Sequence, residues 1–192
     1  LRILIYGDSL TAGAPSFTPF GEALCQSLES KGYQVHATIC GLCASTAHQM
    51  LAAVEEPLVL DTLGSRWGSG LLPLLHSSGT TVDLVLLMVG TNDLAQPTPS
   101  DEIFAAVRGL HAVCHSAGVR TVALGIPDAG GRGVARLGRG LVARKQAVNE
   151  SLAHWARNGV GLSGPELFIN TVGLMPFGPK SRQAGVWASF GV

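Results

Sequence analysis

The chain opens on an apolar run, Leu1-Arg2-Ile3-Leu4-Ile5-Tyr6, and then alternates short apolar runs with amphipathic stretches. Strand-length runs separated by helical periodicity are the pattern of a parallel sheet with helices on both faces. Leu1 to Tyr6 reads as the first strand, Gln34 to Cys40 as the second and Val119 to Ile126 as the fourth. Val82 to Val89 is the most apolar run and so the third, central strand. Val160 to Ile169 supplies a fifth strand at an edge. Phe20 to Ser30 reads as a helix with Ala23, Leu24 and Leu28 on one face and Gly32 just past its end. Thr46 to Val54 is a second helix. Leu71 to His76 is a short one within an irregular stretch punctuated by Pro57, Gly64, Gly68, Gly70 and Pro73. Ser100 is the expected N-cap of a helix buried through Ile103, Val107, Leu110 and Cys114. Asp128 to Gly133 reads as a loop, and Leu137, Leu141, Val148, Leu152 and Trp155 form the buried stripe of the long helix that follows. Neither a repeat nor a linker interrupts the pattern. The expectation is one three-layer α/β/α domain over residues 1–192, built on a mostly parallel five-stranded sheet.

Composition narrows the class of partner. Apolar residues make up 46% of the chain and charged ones 14%, which fits a packed domain rather than a disordered one. Lys+Arg and Asp+Glu both number 13, so nothing electrostatic favours a nucleic acid or an anionic membrane. The strongest apolar run, Leu84 to Val89, has strand length and falls far short of the ~18 residues of a membrane span. No basic-then-apolar leader is present, but the chain begins at Leu1 inside a strand, so that says little and leaves the compartment open. Cys40 and Cys43 have CxxC spacing without a second pair to complete a zinc site. A redox dithiol and a pair of small buried residues at a strand end both fit that spacing, and the second is favoured.

In open α/β sheets ligands bind beyond the carboxyl ends of the strands. Ser9 follows the first strand, Gly41 the second, Asn92 the third and Asp128 the fourth, so all four are expected on one rim. A serine held on a strand-to-helix turn can be a nucleophile or a simple capping residue. The stretch around it is not a GxSxG elbow, because Thr11 stands where the second glycine belongs, and no GxxxxGK[ST] phosphate loop occurs. Asn92 can aim a side-chain N–H at a developing oxyanion, or form an Asn-Asp turn with Asp93. Gly41 can offer a backbone N–H, or merely permit a tight turn.

Taken together, Gly7-Asp8-Ser9-Leu10-Thr11, Gly41 and Gly90-Thr91-Asn92-Asp93 resemble the first three blocks of the SGNH, or GDSL-type, esterases and lipases. The resemblance implies a flavodoxin-like α/β/α fold and hydrolysis of a small-molecule acyl or acetyl ester through an acyl-serine, with no cofactor and no metal. It makes Ser9 the nucleophile and assigns the oxyanion hole to the N–H of Ser9, the N–H of Gly41 and the amide of Asn92. Gly7, Asp8, Gly90 and Asp93 support the motifs, with the two aspartates given local hydrogen bonding.

The chain departs from the family in one respect. The family's fourth block is Asp-x-x-His near the C-terminus, where the histidine takes the serine proton and the aspartate orients it. Here no Asp-x-x-His occurs: the last aspartate is Asp128 and the last histidine His154. Phe177 to Trp187 looks like the approach to that block, but Ala188-Ser189-Phe190-Gly191-Val192 follows. The expectation is a domain cut short at its C-terminus and, from its start at Leu1 within a strand, also at its N-terminus. His36, His76, His111, His115 and His154 fall in strand or helix positions away from the rim, and Glu166 is a distant acid. Only His48 is expected near the rim, as a substitute base. The function expected is a serine ester hydrolase by descent, nearly inactive as this chain. The alternative is a flavodoxin-like ligand-binding module without catalysis. Arg132, Arg136 and Arg139 offer either a preference for anionic substrates or a solvated loop and first helical turn, the latter favoured.

Overall fold

The structure, a computed structural model, describes residues 1–14, 16–77, 81–128, 132–159 and 164–174, with backbone only for 132–139 and 173–174. Five strands form a single sheet: β1 (Arg2–Gly7), β2 (His36–Gly41), β5 (Leu84–Met88), β6 (Arg120–Leu124) and β7 (Leu167–Ile169). Their order is β2-β1-β5-β6-β7 and every pair is parallel. The most apolar run, β5, is central as expected, and all strand ends that carry motifs share one rim. Register fixes the rim closely, since Gly7 lies opposite Gly41 on one side and Met88 on the other.

Alternation along the strands supplies two cores. Leu4, Tyr6, Val85 and Leu87 face α3 (Ala47–Ala52), α4 (Leu71–Leu75), α6 (Ser100–Ser116) and α7 (Arg132–Asn158), whose buried residues include Met50, Leu71, Ile103, Leu110, Val148 and Leu152. Ile3, Ile5, Leu86 and Met88 face the other way, where Phe20, Leu24 and Leu28 of α2 (Phe20–Glu29) pack on them. The result is the expected three-layer arrangement.

Several details differ from the sequence pattern. Ser100 is the first residue of α6 rather than its cap, because Pro99 occupies the cap position in extended conformation. Two four-residue helices at the rim, α1 (Ser9–Ala12) and α5 (Thr91–Leu94), carry too few residues to show a period. The irregular stretch holds a small antiparallel pair, β3 (Val59–Leu60) and β4 (Trp67–Gly68). Its turn is organised by Asp61, which accepts from the N–H groups of Ser65 and Arg66 at 2.9 and 3.3 Å. α7 begins at Arg132, so Arg136 and Arg139 are helical and 128–131 of the expected loop lie before it, of which 129–131 fall outside the described residues. The last strand is shorter than expected, at Leu167–Ile169, with 160–163 outside the described residues. A short α8 (Thr171–Leu174) follows it, and the segment expected to lead toward the missing block, 175–192, also lies outside them.

Candidate active site

Ser9 is the first residue of α1 and is partly exposed at the rim. The turn that presents it is held by Asp8, whose carboxylate caps α1 by accepting from the Leu10 N–H at 3.0 Å. Asp8 is fully buried, and burial pushes its pKa up to about 6, with the cap bond and Thr91 pulling the other way.

α1 lies close against the end of β2, and here the sequence reading of Gly41 is refined. Gly41 is not in a turn; it is the last residue of the strand, and a Cβ on it would stand 2.3 Å from the Ala12 nitrogen. The glycine is required by close approach. In the parallel ladder Leu42 donates to the Gly7 carbonyl at 2.8 Å and His36 to Leu1 at 2.9 Å, so the even N–H groups of β2 serve β1. The intervening N–H groups, those of Ile39 and Gly41, therefore point to the open edge of the sheet.

Beyond Gly41 the chain makes a four-residue turn, Leu42 to Ser45, closed by the Ser45 N–H on the Leu42 carbonyl at 3.2 Å. Ala44 takes the third position with φ 57°, a left-handed conformation usually given to glycine. The turn aims the Ser45 carbonyl at Asn92, whose Nδ2 donates to it at 2.9 Å. One of the two amide hydrogens of Asn92 is thereby spent on positioning, and the second is left to donate elsewhere. Gly90, at φ 114°, lets the chain turn from β5 into the helix that carries Asn92. Ala44 was missed by sequence reasoning because only its backbone angle, and not its residue type, marks it.

Asp93 is buried and grips the start of α3: Oδ2 accepts from the Ala47 N–H at 2.8 Å and Oδ1 from His48 Nδ1 at 3.3 Å. α3 is further pinned by a reciprocal cap between Thr46 and Gln49. His48 is thus brought beside the Asn92-Asp93 pair, with its side chain half exposed. The remaining histidines stand away from the rim. His111 is fully buried and His115 half-buried, and both meet the Thr121 hydroxyl, at 2.7 and 2.9 Å. Burial drives the His111 pKa down to about 3. His154 is exposed on α7, Glu166 is exposed just before β7, and His36 and His76 are exposed at the opposite side of the strands.

At the far end of the rim Asp128 is paired with the buried Lys145 of α7. The side chains of Arg132, Arg136 and Arg139, raised as a preference for anionic substrates, lie outside the described residues. Cys40 and Cys43 are both buried and free. Among the described residues no cluster of three metal-ligating side chains occurs, and no helix is long and apolar enough to cross a membrane.

A five-stranded parallel sheet flanked by helices on both faces is the fold of the SGNH hydrolases among the solved structures this chain resembles. Its backbone matches AlinE4, an SGNH-hydrolase family esterase, with TM-score 0.67 and 16% identity, covering 93% of this chain and 80% of that one. A lipolytic protein of the G-D-S-L family from Veillonella parvula superposes with TM-score 0.64 and 18% identity, covering 96% and 83%. At that identity the likeness speaks for the fold. Sequence speaks for the family: the model of the GDSL-like lipase/acylhydrolase family matches residues 5–164, and the chain belongs to that family. No curated protein matches it.

Proposed function

We propose that Ser9 is the nucleophile of an ester hydrolase of the acyl-serine type. The observation that carries this reading is the fixed amide of Asn92, held by Ser45 on the rim next to the serine turn. Its second hydrogen stabilises the oxyanion that forms when Ser9 Oγ adds to an ester carbonyl, together with the N–H of Ser9 and a backbone N–H from the segment after β2. Gly41 is the donor the family resemblance names, but as the last residue of β2 it turns its N–H to the open edge of the sheet; the Ala44 turn, joined directly to Asn92, is the candidate that lies after β2. Acylation expels the alcohol, and water then releases the acid. A donor of this type is worth about 3 kcal/mol of transition-state stabilisation.

The proton of Ser9 needs an acceptor. Within these 192 residues the Asp-x-x-His block does not occur, and loss of a triad base lowers turnover by about 10⁴ to 10⁶. The chain is accordingly a slow enzyme, reacting with an activated ester only weakly. The His48–Asp93 pair supports a second route for the proton. Donation from Nδ1 to the buried Asp93 leaves Nε2 as the basic nitrogen, the tautomer a general base requires.

The test is phosphonylation by a fluorophosphonate, located by mass spectrometry, beside hydrolysis of p-nitrophenyl acetate. Ser9 is modified slowly, and Asn92→Ala lowers residual hydrolysis by about a hundredfold. His48→Ala lowers it further than Asn92-independent background only if His48 carries the proton. Hydrolysis unaffected by Ser9→Ala and by Asn92→Ala would leave the noncatalytic flavodoxin-like binding module as the reading to adopt.

A further inference from the structure

Beside the rim, along the open edge of β2, lies a cavity of about 560 Å³. It reaches Ala12 and Gly41, so it begins one helical turn from Ser9 and runs down the strand edge to Thr38. One wall is α2, contributing Glu22; the opposite wall is the β3–β4 hairpin, contributing Arg66, Trp67 and Ser69. The Arg66 guanidinium is stacked 4.2 Å from the centre of the Phe17 ring, which fixes it in place. Phe17 itself is held at φ 56°, a conformation that a bulky residue adopts only under constraint.

The chemistry of this lining selects among ester substrates. One cation and one carboxylate leave no net charge, so an anion is not favoured over a neutral group. Glu22, Arg66, Thr38 and Ser69 offer donors and acceptors on opposite walls, and the edge N–H groups of Ile39 and Gly41 face the same side. A long acyl chain laid here would strip these groups of water without replacing their hydrogen bonds, a cost that a polyol avoids. An exposed indole, Trp67 at 64%, meanwhile offers a flat apolar face at the wall. Hydroxyls round the perimeter and apolar C–H groups on one face describe a sugar ring. We propose that this cavity receives the alcohol portion of the ester, and that this portion is a neutral sugar or similar polyol. The inference rests on the acyl-serine reading for what happens to the ester, but the cavity can be tested by binding alone.

The probe is an O-acetylated methyl glucoside, followed by saturation-transfer NMR and by tryptophan fluorescence with the intact chain. The glucoside binds, and Trp67→Ala or Arg66→Ala weakens it at least fivefold while Ser9→Ala leaves it unchanged. Both substituted side chains are exposed, and circular dichroism of each variant confirms that the hairpin change has not unfolded the domain. Absence of binding to the folded wild-type chain, equal binding by Trp67→Ala, or preference for hexyl acetate over the glucoside overturns the proposal. Fluorophosphonate labelling of Ser9 separates the two ideas. Labelling without glucoside binding defeats the cavity assignment alone, whereas binding without labelling defeats the acyl-serine reading and leaves the cavity standing.

Discussion

Ala44 carries a conformational cost at the place where Asn92 is aligned. An L-residue in the left-handed region is about 1–2 kcal/mol above its preferred state, and here the turn that imposes φ 57° also presents the Ser45 carbonyl to Asn92. Glycine relieves that strain, offset in part by its greater freedom in the unfolded chain. Ala44→Gly is therefore expected to stabilise the protein by about 0.5–1 kcal/mol. Urea denaturation checks it, and an unchanged midpoint would mean the turn is not strained. At this scale the sequence was informative where chemistry depends on residue type. Ser9, Asn92 and Asp93 stand out in the sequence by their motifs, and in the structure Asp8 accepts from the Leu10 N–H and Asp93 from the Ala47 N–H. Ala44 was not recognisable, because a backbone angle has no letter.

At the scale of elements, the short helix bearing Asn92 is secured from a distance. Arg144 of α7 donates to three carbonyls at and beyond the end of α5: Leu94 at 2.9 Å, Gln96 at 2.6 Å and Thr98 at 2.8 Å. These carbonyls follow a helix too short to satisfy itself, so a guanidinium with five donors is well suited to gather them. Arg144→Ala is expected to destabilise the fold by about 1.5–3 kcal/mol, the range for bonds to a charged group. It should also slow Ser9 phosphonylation, because α5 loses its anchor. Arg144→Lys, which can satisfy fewer carbonyls, should fall between. Full stability and full labelling in Arg144→Ala would rule out the clamp. Such a link was not legible in the sequence, since nearly fifty residues separate its partners. The β3–β4 hairpin was missed for a different reason: two-residue strands have no alternation to read. The long elements were legible because burial on one face repeats over several turns or pleats.

The whole molecule is expected to respond to pH through two buried groups of opposite sense. Asp8 has its pKa raised from 3.8 to about 6, so its contribution to stability is present below about 3.8 and is lost as pH rises through 6. His111 has its pKa lowered from 6.5 to about 3 by burial, with the neighbouring His115 adding to the shift. The unfolded chain binds that proton first, so stability is lost as pH falls from about 6.5 toward 3. Between pH 4 and 6 the two slopes oppose each other. Asp8→Asn keeps an N-capping oxygen and removes one slope, and should turn a shallow dependence into a steady loss on acidification. Urea midpoints at pH 4, 5, 6 and 7 for the two proteins provide the comparison. Parallel profiles would show that Asp8 does not titrate in this window.

The sequence by itself determined the layer architecture, the parallel order of motif and strand, and the residues gathered on one rim. It could do so because hydrophobic periodicity is local, and because the strands of a parallel sheet bring all their carboxyl ends to the same side. Only the tertiary structure decided how those residues are held. The close contact of Gly41 with α1, the Ala44 turn, the grip of Asp93 on His48, the Arg144 clamp and the cavity beside Trp67 all join segments remote along the chain. Their geometry depends on which faces pack together and at what register, and that is settled by the energy of the assembled core.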